Sequence, residues 1–102
     1  MKDILTQLNP VFDHRNRLGI MSILMVNDWV DYGTLKGLLN LTDGNLASHM
    51  KPLEAADYVE YRKNFVGRRP QTTYAATEAG KQAFQVHLDG LEAMLKTLAV
   101  NG

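Results

Sequence analysis

Apolar residues recur along this chain at helical intervals, interrupted by stretches rich in strand formers. Near the start Ile4, Leu5 and Leu8 share a helical face until Asn9 and Pro10 break it, which predicts a short N-terminal helical turn. From about Asp13 a longer periodic stretch gathers Leu18, Met21, Leu24 and Met25 on one side, widened by Ile20 and Ile23, and "VNDW" ends it. "WVDY" has room only for a bridge or a short strand. Asp31 can then cap a helix over "YGTLKGLLN", with Leu35, Leu38 and Leu39 facing inward.

The next stretch, "LTDGNLASHMKPLEAADYVEY", begins with a helix capped by Thr42, whose hydroxyl can accept from the free N–H of Gly44 or Asn45. Leu46, Met50 and Leu53 make its buried stripe. The tight link through Asn40 and Leu41 folds the two helices against each other as a helix-turn-helix. Val59, Tyr61 and Phe65 predict a strand, "VGRRPQ" a turn and "TTYAA" a second strand, so a hairpin follows. Thr77 caps a last helix with Glu78 in its first turn. Along it Phe84, Leu88, Leu91, Leu95 and Leu98 are spaced 4, 3, 4, 3, a heptad seam.

These elements define a fold that is mainly α with a small β-hairpin: a helix-turn-helix, the hairpin and a long C-terminal helix. A chain of 102 residues suits a single domain, here a core over residues 10–76 and the long helix over residues 77–100. Hydrophobic residues make up 45%, enough for a real core. With no cysteine, disulfides and thiolate metal sites are excluded. No apolar run approaches the roughly 18 residues that would span a bilayer, and "MKDILTQLNP" lacks a signal-peptide layout, so a cytoplasmic protein without membrane association is the expectation.

Charge changes the picture by its distribution. The 11 basic and 11 acidic residues cancel, which alone argues against a general nucleic-acid binder. Yet residues 61–74 hold Arg62, Lys63, Arg68 and Arg69 and no acid. The helix beginning at Asp43 keeps Asp43, Gly44, Asn45, Ala47, Ser48, His49 and Lys51 off its buried stripe. Such small or hydrogen-bonding residues suit a helix that enters the DNA major groove, about 12 Å wide, where bulk would block approach. Gly44 and Ala47 allow the approach, Asn45, Ser48 and His49 can donate and accept at base edges, and Lys51 can meet a phosphate. The helix start adds backbone N–H groups for another phosphate. A solvated face explains the helix alone equally well. The basic hairpin beside it shifts the balance toward DNA, since such a finger can follow the phosphate backbone or reach into a narrow minor groove.

"LTDGNLASHMKPLEAADYVEY" followed by "GRRPQTTYAATEAG" resembles the winged-helix transcription regulators of bacteria and archaea, the multiple-antibiotic-resistance regulator and arsenic-repressor superfamily in its short form. The likeness covers about residues 10–98. It implies a winged helix-turn-helix with a long C-terminal dimerisation helix, a recognition helix over residues 43–56, a wing over residues 66–71, DNA contacts from Thr42 and Thr72 beside the residues above, and a homodimer on an operator. "TEAG" is similar to the family's entry into its last helix. Pro52 departs from the family pattern, and a proline inside a helix removes the hydrogen bond to the Ser48 carbonyl, so a bend or loosening is expected there. The arsenic-repressor cysteines are absent, and the chain has little room for the flanking helices and ligand cavity of the longer regulators.

The seam predicts self-association. Ala79, Ala83 and Phe84 lie close to the body, but Leu88 to Leu98 run beyond what a compact winged domain covers. Leaving those leucines in water forgoes about 1.5–3 kcal/mol each. Pairing with a second copy, with Ile4, Leu5 and Leu8 in the same bundle, buries them. Gly90 marks a close crossing or a weak point. Catalysis is not expected: Ser22, Ser48, His14, His49 and His87 form no nucleophile–base–orienter set, "GRRPQT" is no phosphate loop, and His87 with Asp89 or Glu92 is a weak metal pattern. No cofactor is implied. A winged helix that binds protein instead of DNA is the alternative. A small-molecule effector stays open; Trp29, Tyr32 and Phe12 could border a pocket, though core and strand roles fit them better. His14 and His49 could bring pH sensitivity near neutrality.

Overall fold

A computed structural model describes residues 2–97 of the chain. Its elements run α1 (Lys2–Leu5), a 3-10 turn (Pro10–Phe12), α2 (Arg15–Met25), β1 (Val30–Asp31), α3 (Tyr32–Leu39), α4 (Asp43–Ala55), β2 (Val59–Val66), β3 (Arg69–Ala76) and α5 (Glu78–Thr97). Element order and type follow the sequence pattern. Local chemistry fixes most ends. Asp31 caps α3, one carboxylate oxygen accepting from the Thr34 N–H at 3.0 Å and the other from the Thr34 hydroxyl at 2.6 Å. Those bonds hold the Asp31 carboxyl below its ordinary pKa. Thr42 caps α4 by accepting from the Asn45 N–H at 3.2 Å. Thr77 caps α5, accepting from the Gly80 N–H at 2.9 Å while its hydroxyl donates to the Asp57 carbonyl at 2.7 Å.

The core gathers Phe12, Ile20, Met21, Leu24, Leu35, Leu46, Met50, Leu53 and Phe84, with Val30, Val59 and Tyr74 supplied by the sheet. Strand order is β1-β3-β2, all antiparallel. The residues Val30 and Asp31 pair with Tyr74 and Thr73, so β1 reaches only the inner part of β3. The hairpin strands pair along their full length, from Val59 with Ala76 to Val66 with Arg69. Gly67 and Arg68 alone make the turn, with Gly67 at φ 63°. The sequence pattern spreads this turn over residues 66–71; the ladder instead takes in Arg69, Pro70 and Gln71. Pro70 is tolerated because it lies beyond the end of β1, where β3 has an open edge and needs no donor on that side.

Several expectations require correction. Leu38 is 66% exposed, because Leu35 and Leu39 hold the inward face of α3 and Leu38 lies to its side. Helix α4 runs unbroken from Asp43 to Ala55 despite Pro52. Its end is secured by the Tyr58 N–H donating to the Leu53 carbonyl at 2.9 Å, with Asp57 in the left-handed region at φ 63°. Phe84, expected in the dimer seam, is 2% exposed and belongs to the core, edge-on to Phe12 with ring centroids 5.0 Å apart. Helix α2 starts at Arg15, capped by the His14 ring, which accepts from the Asn16 N–H at 3.0 Å.

The segment ahead of α2 lies on the last helix of its own chain. A Cβ on Gly90 would stand 3.0 Å from Gln7 Cβ and 3.2 Å from Leu8 Cδ2, so the close crossing marked by Gly90 is with this strap. Asn9 pins the strap: its N–H donates to His87 Nδ1 at 2.9 Å and its side-chain amide donates to the Tyr58 hydroxyl at 2.9 Å. His87 is thereby a core residue with its Nδ1 engaged by the strap, and burial lowers its pKa. Leu98, the end of the predicted seam, lies outside the described residues.

Candidate nucleic-acid interface

Burying Leu46, Met50 and Leu53 rotates the opposite side of α4 into water. Thr42, Asp43, Gly44, Asn45, Ala47, Ser48 and Lys51 are all exposed. Asp43 is held from two sides, its carboxylate 3.0 Å from Lys36 Nζ and its carbonyl accepting from the Tyr32 hydroxyl at 2.7 Å. His49 is placed differently from its exposed neighbours. It is half-buried, its ring stacked on His14 with centroids 4.1 Å apart and its Nδ1 3.1 Å from Arg17 Nη1. Burial first, then His14 and Arg17, lower its pKa. Arg17 is itself anchored, its Nε donating to the Val11 carbonyl at 2.6 Å. His49 therefore faces α2 with at most one ring edge left for a ligand.

The hairpin leaves the body at Tyr61, and every side chain from Glu60 to Pro70 is exposed. Strand alternation sorts its cations. Lys63 pairs with Thr72 on the face shared by Tyr61 and Tyr74; Arg62 pairs with Thr73 on the opposite face. There the Arg62 guanidinium lies 4.0 Å from the centre of the Trp29 ring, a cation–π contact that ties it down away from α4. Arg62, expected with the other wing cations, is thus engaged by Trp29 on the face opposite Lys63, the face that also carries Arg69. Arg69 pairs with Val66, and Arg68 occupies the turn.

Between α4 and the hairpin runs an open groove of about 550 Å³, lined by Tyr32, Glu54, Tyr61, Lys63, Pro70, Thr72 and Tyr74. Tyr74 packs near Tyr32 and Tyr61, with centroids 6.3 and 5.9 Å away. Burial, reinforced by the Glu54 carboxylate, pushes the Tyr74 phenol up to about 12, so it stays a neutral donor. Of the candidate contact residues, Lys63 and Thr72 line this concavity, and α4 contributes Glu54 to it. The sequence pattern gives Lys36 and Arg17 no role and reads Tyr61 and Tyr74 as strand residues and Tyr32 as a pocket, core or strand residue; their meeting comes from packing between elements, which leaves no local pattern. Among the described residues no group of three or more His, Asp or Glu side chains is placed to hold a metal ion, and no helix is long and apolar enough to cross a membrane.

Comparison with known proteins bears on the fold and the family. A solved transcriptional regulator homologue from Pyrococcus horikoshii OT3 is 29% identical and superposes with a TM-score of 0.83 over 97% of this chain and 96% of that one. A MarR-family regulator from Porphyromonas gingivalis W83, at 15% identity, shares the fold with a TM-score of 0.64 over 88% of this chain and 86% of its own. An uncharacterized protein of Methanocaldococcus jannaschii is 35% identical over 78 residues, which is 76% of this chain and 85% of that protein. The profile of the winged helix DNA-binding domain family matches residues 16–95, from the second residue of α2 to the last turns of α5, and the chain belongs to that family.

Proposed function

We propose that this protein binds double-stranded DNA sequence-specifically as a homodimeric transcriptional regulator. In this reading α4 enters the major groove with Gly44 and Ala47 allowing close approach, and Asn45 and Ser48 read base edges. Thr42 and Lys51 sit at phosphates, while Lys63, Thr72, Arg68 and Arg69 hold the backbone or the adjacent minor groove. The observation that carries the reading is a polar, slim, exposed face on α4 together with a hairpin whose residues 61–74 hold four cations and no acid. The seam that remains after Phe84 joins the core supports dimerisation. Leu95 is 79% exposed and Leu91, a turn before it, 38%, while Leu88 earlier in the seam packs partly against the core. Two copies related by a two-fold axis present their recognition helices to inverted half-sites. A cavity of about 200 Å³ bounded by Leu8, Pro10, Phe12, Asp13, Leu18, His87 and Leu91 offers a small apolar effector a place between the strap, α2 and α5.

The test is binding to mixed genomic fragments across a salt series. Specific fragments are retained at low salt with steep salt dependence, and replacing both Arg68 and Arg69 by alanine lowers the slope of log affinity against log salt by about 2. An unchanged slope removes the wing contact, and no retention at low salt leaves the protein-binding alternative. Alanine at Asn45 or Ser48 relaxes sequence preference by roughly 1–3 kcal/mol at one base pair; an equal loss on random DNA places them on phosphates. Leu95→Glu yields a monomer in sedimentation.

A further inference from the structure

Lysine and arginine explain how the hairpin holds phosphates, but they leave its apolar tip without a role. Beyond the end of β1 the hairpin is a two-stranded ribbon, in which Phe65 faces Pro70 across the strands and Val66 faces Arg69. Phe65 is 75% exposed and Val66 58%, so most of each side chain lies in water. An apolar tip on a two-stranded edge invites aggregation and usually carries a function. Its surroundings restrict what covers it. Residues 61–74 carry four cations and no acid, which fits a polyanion. Strand alternation puts Phe65 on the same face as Tyr61 and Lys63, opposite Pro70, Thr72 and Tyr74, the face that borders the groove beside α4. A duplex seated on α4 therefore meets the Phe65 face of the ribbon, while Arg62 on the other face is occupied by Trp29. The minor groove, about 6 Å wide, is too narrow for the ribbon itself and admits only side chains at its tip.

We infer that Phe65 enters the minor groove flanking the site read by α4 as an apolar wedge, with Pro70 behind it, and that the protein selects DNA whose steps unstack easily at that point. The inference rests on the DNA-binding reading above. Arg68 and Lys63 hold the phosphates on either side while the ring presses on sugar walls and base edges. Wedges of this kind unstack a base step and bend the duplex, and pyrimidine–purine steps such as TA and CA/TG yield most readily. Specificity then arises at a position where no hydrogen bond reads the bases.

The experiment enriches bound duplexes from a random-sequence pool with the wild-type protein, Phe65→Ala and Phe65→Trp. The enriched duplex is then built with 2-aminopurine at the flanking step, where its fluorescence rises on unstacking. Wild type and Phe65→Trp enrich a pyrimidine–purine step there and raise the fluorescence. Phe65→Ala loses both, binds the enriched duplex about tenfold more weakly and keeps the wild-type salt slope. Identical enrichment and fluorescence with Phe65→Ala overturn the wedge and leave DNA binding standing. Absence of any duplex binding by the wild type at low salt overturns both. A smaller assembly for Phe65→Ala without DNA, by sedimentation, also overturns the wedge and assigns the tip to contact between copies. Because the ring projects into water, the alanine variant is not expected to disturb folding.

Discussion

Helix α4 and the hairpin border the same groove, yet they are held in opposite ways. Leu46, Met50 and Leu53 sink into the common core, and α4 is capped at its start by Thr42 and closed at its end by the Tyr58 N–H. The hairpin is anchored at its base, by Val59 on β2, by Thr73, Tyr74 and Ala75 on β3 and by Arg62 against Trp29; beyond Arg62 its shape depends on its own ladder. The orientation of α4 is thus inseparable from global stability, whereas the wing is an appendage whose surface can change without unfolding the protein. Binding and folding are separable at one element and fused at the other.

The largest expected effect tests that contrast directly. Leu46→Ala or Leu53→Ala is expected to destabilise by about 2–5 kcal/mol in urea unfolding followed by circular dichroism. Phe65→Ala or Val66→Ala should stay within about 0.5 kcal/mol of wild type. Comparable losses at both elements would show that the wing is part of the folding unit after all.

A pair of glycines on α5 sharpens the same distinction. A Cβ on Gly80 would overlap the carbonyl of Tyr58, which also accepts from the Thr77 N–H at 3.0 Å. Backbone cannot move aside as a side chain can, so Gly80→Ala is expected to lose about 1–3 kcal/mol. Gly90 meets the side chains of Gln7 and Leu8 in the strap, which can shift by the few tenths of an ångström required. There the gain of roughly 1 kcal/mol in helix propensity offsets the crowding, and Gly90→Ala should leave the unfolding midpoint near the wild-type value. A large loss at Gly90 would make the strap as rigid as the core.

A pH series comes next in size. The Asn9 N–H needs an unprotonated Nδ1 on His87, and burial lowers the pKa of that ring. Lowered in the folded state, the ring takes up a proton more readily when unfolded. Its contribution is complete above the ordinary histidine pKa of about 6.5 and is lost as pH falls below it toward the folded value. Unfolding midpoints should therefore decline on acidification through this window, and His87→Gln should flatten the decline. His49 is lowered in the same direction and adds a part of its own. An unchanged decline in the His87 variant would assign it to His49 and to the carboxylates.

Much of this was legible because the signals are local. The caps Asp31, Thr42 and Thr77 each bond an N–H three residues on, and the stripe Leu46, Met50 and Leu53 follows from helical spacing alone. What escaped depends on the strand order or on distant partners. Trp29 and Arg62 meet because β3 lies between β1 and β2, a topology no spacing encodes. His14 and His49 stack across two helices. Phe84 was misplaced for a different reason: the interval that makes a heptad seam also makes a core stripe, so periodicity cannot say which partner buries which residue. Gly and Pro in "VGRRPQ" both read as turn punctuation, yet only Gly67 turns the chain. The candidate DNA-facing residues were visible as types, small or polar on one side and basic on the other, while which of them are already engaged was not.

The smallest effect concerns charge, where the two elements differ again: residues 61–74 of the hairpin have no acid, but α4 begins with one. Asp43 lies at the first turn of α4, where a carboxylate is worth about 0.3–1 kcal/mol against the helix dipole. Its ion pair with Lys36 is well exposed and adds little after solvent screening. Asp43→Asn should therefore lose less than about 1 kcal/mol of stability. Its effect on DNA is expected to run the other way. Removing a negative charge beside the phosphates releases Lys36, so affinity rises at low salt and the salt slope steepens by about 1. A fall in affinity confined to particular duplexes would instead mean that the carboxylate accepts from a base amino group, which would make Asp43 a reader of sequence and the acid at the helix start part of the recognition surface rather than a brake on it.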